Sequence, residues 1–69
     1  MKQTARVLDY IDRFGSITAL EVMRDLGIMR LASRVFELRE MGYKIIGKVE
    51  IWMNRFNEPI HYMRYQLED

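Results

Sequence analysis

The stretch Thr18–Tyr43, TALEVMRDLGIMRLASRVFELREMGY, decides the fold. Thr18 and Glu21 form a T-x-x-E capping box, in which each side chain satisfies an orphan backbone N–H at a helix start. Ile17 and Val22 stand at the flanking positions of a hydrophobic staple. Leu20, Met23 and Leu26 continue an apolar stripe, and Gly27 closes a helix over about 19–26. A helix this short is marginal alone and must be held by its neighbours.

A second periodic run follows, predicting a helix over about 29–41 with Gly42 just past its end. On a helical wheel Ile28, Leu31, Ala32, Val35 and Leu38 gather on one side. Arg30, Ser33, Arg34, Glu37 and Glu40 lie across from them, with Phe36 at the border. Upstream, Val7, Leu8, Ile11 and Phe14 make one stripe of a helix over about 4–14, which Gly15 stops. Asp9 and Asp12 fall with Arg6 and Arg13 on the polar side, where a solvated face is the expectation.

After Gly42 the period changes from helical to alternating. YKII reads as a short strand, KVEIWM as a second and IHYMRYQL as a third, with NRFNEP connecting the last two. A further short strand fits between the first two helices. Pairing Glu50 with Arg64 and Trp52 with Tyr62 puts an opposite-charge pair beside an aromatic pair. The other face then sets Val49, Ile51 and Met53 against Tyr65, Met63 and His61. This register expects a hairpin over about 46–67 that turns around Arg55 to Pro59. The whole is an α+β domain: three short helices, then a C-terminal β-hairpin packed beside the third.

Composition narrows the function classes. At 69 residues the chain reads as one domain, 1–69, and a chain this small buries only about 60% of its unfolded surface. It has no cysteine and one histidine, so neither a disulfide nor a closed metal shell is available to staple it. No apolar run approaches the ~18 residues of a membrane span, and no signal-peptide core is evident. The expectation is a cytoplasmic protein with no membrane partner. His61 stands alone, and no serine, lysine or carboxylate falls in a catalytic motif. Neither enzymatic activity, nor a cofactor, nor a small-molecule substrate is expected. The six methionines read as core gap-fillers, with Met53 and Met63 on the inner hairpin face.

The order of elements, and the residues GSITALEVMRDLGIMRLASRVFELREMGYKI, resemble the winged helix-turn-helix domains of small phage and prophage DNA-binding proteins. SITALEVMRDLGI looks like the positioning helix and turn, RLASRVFELREMGYKI like the recognition helix and the strand after it. IWMNRFNEPIHYMRYQL is similar to the wing. Ser33 departs from the compact signature, which has an apolar residue there, so a longer turn and a later helix start are expected. The resemblance implies sequence-specific binding to double-stranded DNA, in a regulatory role at the bacterial nucleoid. The third helix would enter the major groove and the wing, 54–59, would meet the backbone or minor groove. Arg30 and Arg34 would donate bidentate bonds to guanine, Ser33 would meet a phosphate or base, and Glu37 would accept from cytosine. At the wing tip Arg55 and Asn57 would reach a phosphate or the minor groove. Thr18, at a helix N-terminus, would hold a phosphate. Repressor, activator, excision and replication roles all fit.

The net charge of +1 and Glu37 and Glu40 on the presumed DNA face favour a rival, a winged domain that binds protein. Phe36, Trp52, Tyr62 and Phe56 are the aromatic residues expected outside, and aromatic residues are enriched at interfaces. Two partners suit them: a host or defence protein inhibited by a phage product, or a second copy meeting this one through the Trp52–Tyr62 face.

Overall fold

Gly27 turns the chain between two helices in the left-handed conformation, at φ 70°, which costs a residue with a Cβ about 1–2 kcal/mol. Its N–H bonds the Met23 carbonyl at 3.1 Å, and the N–H of Ile28 bonds that of Val22 at 3.3 Å. This paired closure, a Schellman-type cap, drives Ile28 into the core. The computed structural model describes residues 2–68; of the domain expected over 1–69, Met1 and Asp69 lie outside the described residues.

The elements run α1 (Gln3–Phe14), β1 (Ile17–Thr18), α2 (Ala19–Leu26), α3 (Leu31–Glu40), β2 (Ile45–Met53) and β3 (Pro59–Leu67). The architecture is α+β: three helices and one antiparallel sheet in the order β1-β3-β2. The capping box at the start of α2 is formed in both directions: Thr18 Oγ1 accepts from the Glu21 N–H at 3.2 Å, and Glu21 Oε1 accepts from the Thr18 N–H at 2.9 Å. α3 begins at Leu31 rather than near Met29, and Arg30 is its cap residue. The turn is therefore longer than in the compact motif, because Ile28 must first be buried before the helix axis can be redirected.

Val7, Ile11, Ile17, Val22, Ile28, Leu31, Val35, Leu38 and Ile45 form the core. Several expected core positions are not in it. Phe14 is exposed while Tyr10, its neighbour one turn earlier, is buried. Tyr10 is held there by donating its hydroxyl proton to Asp25 Oδ2 at 2.6 Å, which ties α1 to α2. Arg24 and then Tyr10 hold the Asp25 carboxyl down at a pKa of about 2. Leu20, Met23 and Ala32 are exposed as well. In α2 only Val22 is fully buried, with half-buried Leu26 packed against the core beside it.

β2 is one nine-residue strand that runs through Gly47, not two strands divided there. Its register with β3 differs by two residues from the expected pairing. Glu50 lies opposite Tyr62, Lys48 opposite Arg64, Trp52 opposite Ile60 and Val49 opposite Met63. A slip of two keeps every side chain on its face while changing each partner. The turn is correspondingly tighter, spanning Asn54–Glu58. Asn54 Oδ1 accepts the N–H groups of Phe56 and Glu58 at 2.8 and 3.0 Å, and Asn57 takes the left-handed conformation at φ 59°. Val49, Ile51, Met53 and Met63 share a face with the core residue Ile45 and with Tyr65, which packs against the core, yet they are exposed. The hairpin outruns the helices, so its outer half projects as a wing and the molecule measures 39 Å in its longest dimension.

Candidate nucleic-acid interface

The N-terminal turn of α3 is the first helical turn after the left-handed Gly27. It contains no acidic residue. Arg30, at its cap, is exposed, and no ion-pair partner is recorded for it among the described residues. Its carbonyl accepts the Arg34 N–H at 3.2 Å, so its own backbone already belongs to the helix while the side chain stands clear. Ser33 follows, half-buried, and Phe36 is exposed one turn along the same side.

Arg34 is placed differently from Arg30. It lies on the flank of α3 that meets α1, with its side chain only 26% exposed, paired to Glu37 at 2.8 Å. Its Nη1 also donates to Gln3 Oε1 at 3.4 Å, and its Nε is buried without a partner. Arg34 and Glu37 are thus brought together with each other, one helical turn apart. A guanine contact from Arg34 would first have to release both partners.

Thr18 is not available as a phosphate ligand in this geometry. It is buried, and both its hydroxyl and its N–H are engaged by Glu21. The Glu21 carboxylate lies where an anion would sit at the start of α2, and it also accepts from Arg64 Nη1 at 3.2 Å. At the wing tip Arg55 is exposed, and Phe56 is exposed beside it. Asn57 is accounted for by the turn: its left-handed backbone is one that asparagine tolerates better than most residues, and its N–H closes on Asn54 O at 3.0 Å.

The aromatic pair Trp52–Tyr62 is not formed. Tyr62 donates to Glu50 Oε2 at 2.6 Å, and Trp52 stands opposite Ile60. Their face of the wing and the start of α2 enclose an open groove of about 490 Å³, with Leu20, Trp52, Ile60 and Tyr62 supplying its apolar walls and Glu21, Arg24 and Arg64 its charges. Hydrogen bonds from Tyr62 and then Arg64 hold the Glu50 carboxyl below its ordinary range.

Two residues that sequence reasoning left without a site role position the interface. Arg39, in the last turn of α3, donates from Nε and Nη2 to the Ile45 carbonyl at 3.0 and 2.7 Å. It also lies 6.0 Å from the centre of the Tyr65 ring. It fixes the angle between α3 and the wing. Arg64 reaches Ser16, Glu21 and Glu50 from β3. The signal for that role was the short strand before α2, which brings Thr18 opposite Arg64.

Among the described residues no helix is long and apolar enough to cross a membrane, and no group of three or more potential ligands could hold a metal ion. No curated protein and no solved structure matches the chain. One family model does, that of a winged helix-turn-helix domain, and it covers residues 2–69. Such a domain suggests DNA binding in general terms. With three helices, the left-handed turn at Gly27 and the projecting β2–β3 hairpin all inside the matched span, the chain belongs to the winged helix-turn-helix domain family.

Proposed function

We propose that this protein binds double-stranded DNA sequence-specifically, as a regulatory protein of phage or prophage type and not as an enzyme. In this reading α3 lies in the major groove with its N-terminal turn foremost, and the wing over 54–59 meets the backbone or the minor groove. The observation that carries it is Arg30: an exposed arginine at the leading end of α3, without an ion-pair partner among the described residues, on a turn without acidic residues. Arginine in that position can donate two bonds to guanine O6 and N7. Ser33 and Phe36 flank it. Arg34 and Glu37 act as a pair that is rearranged on binding, and Arg55 supplies a phosphate contact. The net charge is only +1, so few phosphates are neutralised per chain, and affinity for arbitrary sequence is modest with a shallow salt slope.

The test is selection from a pool of random duplexes, then titration of the selected and scrambled sequences at several salt concentrations. A shared selected motif, bound more tightly than its scramble, is the expected result. Failure to bind any duplex at low salt would overturn the reading.

The groove between α2 and the wing favours a second reading, a module that binds a protein, such as a phage inhibitor of a host or defence protein. Leu20 and Trp52 are each about two-thirds or more exposed there, and a groove with apolar walls suits an aromatic anchor. Trp52→Ala would abolish partner capture on this reading and leave duplex binding intact.

A further inference from the structure

In the sheet order β1-β3-β2, β2 is an edge strand nine residues long. The Glu68 N–H bonds the Lys44 carbonyl, and the Asn54 N–H bonds the Glu58 carbonyl. Even-numbered residues of β2 therefore make the ladder to β3, and odd-numbered ones point their N–H and C=O groups outward. Arg39 already occupies the outward carbonyl of Ile45. From Gly47 to Met53 the edge carries no such guard. Natural edges of this length are usually blunted by a proline, a bulge or inward charges; here the only charges between Gly47 and Met53 are Lys48 and Glu50.

We infer that this edge pairs antiparallel with β2 of a second copy of the chain, about a two-fold axis at Val49. The charges select that register. Centring the pair on Lys48 or on Glu50 sets like charges opposite one another. Centring it on Val49 sets Lys48 against Glu50 of the second copy, twice, at the closer non-hydrogen-bonded positions. Gly47, Val49 and Ile51 then exchange about six backbone hydrogen bonds with Ile51, Val49 and Gly47 of the other strand. The axis runs perpendicular to the sheet, so both cores lie on one side of it. Val49, Ile51 and Met63 of the two copies join into one apolar strip on that side. The methyl group of Met63 already lies over Gly47, where a Cβ would come within 2.6 Å of it, and Ile51 of the second copy packs against it. The pairing stands independently of what α3 binds.

The chain has no native cysteine, which makes a register test direct. In a strand pair centred on Val49 its two copies have Cα atoms ~5.5 Å apart, within disulfide range. Two copies of Ile51 are ~14 Å apart. The two residues are equally exposed, 62% and 61%, so random collision treats them alike. Under mild oxidation Val49→Cys is expected to give a covalent dimer and Ile51→Cys to remain uncrosslinked. The unmodified chain should sediment as a concentration-dependent dimer, and Lys48→Glu should weaken that association about tenfold or more by facing Glu50 with a like charge. Equal crosslinking of both cysteines, a dimer that does not crosslink at Val49→Cys, or a strict monomer at about 1 mM chain would each overturn the inference.

Discussion

Arg64 and Glu50 meet diagonally across the wing at 2.6 Å, and the same guanidinium reaches back to Glu21 at the start of α2 at 3.2 Å. One side chain thus joins the wing, the capping box and, through Ser16, the turn after α1. Arg64→Ala leaves two half-buried carboxylates short of a donor. It should cost about 1.5–3 kcal/mol of stability, the range for hydrogen bonds to charged groups. Arg64→Lys, which keeps the charge but not the fork, should recover only part of it. Urea denaturation of the three chains measures the differences.

The Glu50 carboxyl also sets a pH dependence. Its pKa is lowered from 4.5, first by the Tyr62 hydrogen bond and then by Arg64. The stabilisation is therefore fully present above 4.5 and is lost as pH falls through the depressed folded value. The same bond raises the Tyr62 phenol above 10.0, so its stabilisation is present below 10.0 and lost as pH rises through the raised value. Glu50→Gln should lower the melting temperature at neutral pH, and the gap to the natural chain should close in acid. A gap that does not change with pH would refute the assignment.

Leu38 is 1% exposed and shares the buried face of α3 with Leu31 and Val35. Leu38→Ala should cost on the order of 2–5 kcal/mol, a large share of what a chain this small can have. Calorimetry or denaturant titration reads it directly, and an unchanged midpoint would contradict the phase of α3.

On the DNA reading, Arg30→Ala should weaken binding to the selected duplex by roughly 1–3 kcal/mol and relax preference at one base pair. Arg55→Ala should weaken all duplexes alike and reduce the salt slope by about 1, as a lost phosphate contact does. Arg34→Ala should weaken specific binding too, with a stability loss as well, because Arg34 also ties α3 to Gln3 of α1. Titrations at several salt concentrations separate the three outcomes.

The helix-turn-helix was legible because its signals are local. Thr18 and Glu21 lie three residues apart, and Gly27 marks its turn through a backbone angle that few other residues adopt. The hairpin was legible as a pattern, since alternation fixes which side chains share a face. Its register was not. Glu50 and Arg64 do interact, but along a diagonal, and sequence alone cannot distinguish a diagonal partner from an opposite one when both lie on the same face. Burial failed for a related reason. Val49, Ile51 and Met53 have the apolar period of an inner face, but whether a helix reaches that far along the strand depends on the lengths of distant elements. The same gap hid the split between Arg30 and Arg34. Both lie opposite the core stripe on a wheel, and only the placement of α1 beside α3, which sets Gln3 against Arg34 and half-buries it, leaves Arg30 exposed and Arg34 tied down.

Ile45 is the last buried residue of β2, and past Gly47 the strand is exposed except for half-buried Glu50. Opening the outer wing would therefore uncover little additional apolar surface, so it needs much less free energy than unfolding the body. Amide protons near the turn, such as that of Asn54, should exchange by local opening while those of Val35 and Leu38 wait for global unfolding. Any ligand that grips the tip must first quiet this motion. Its grip there will register as favourable heat offset by lost chain entropy, and the wing will add more to selectivity among ligands than to affinity for any one of them.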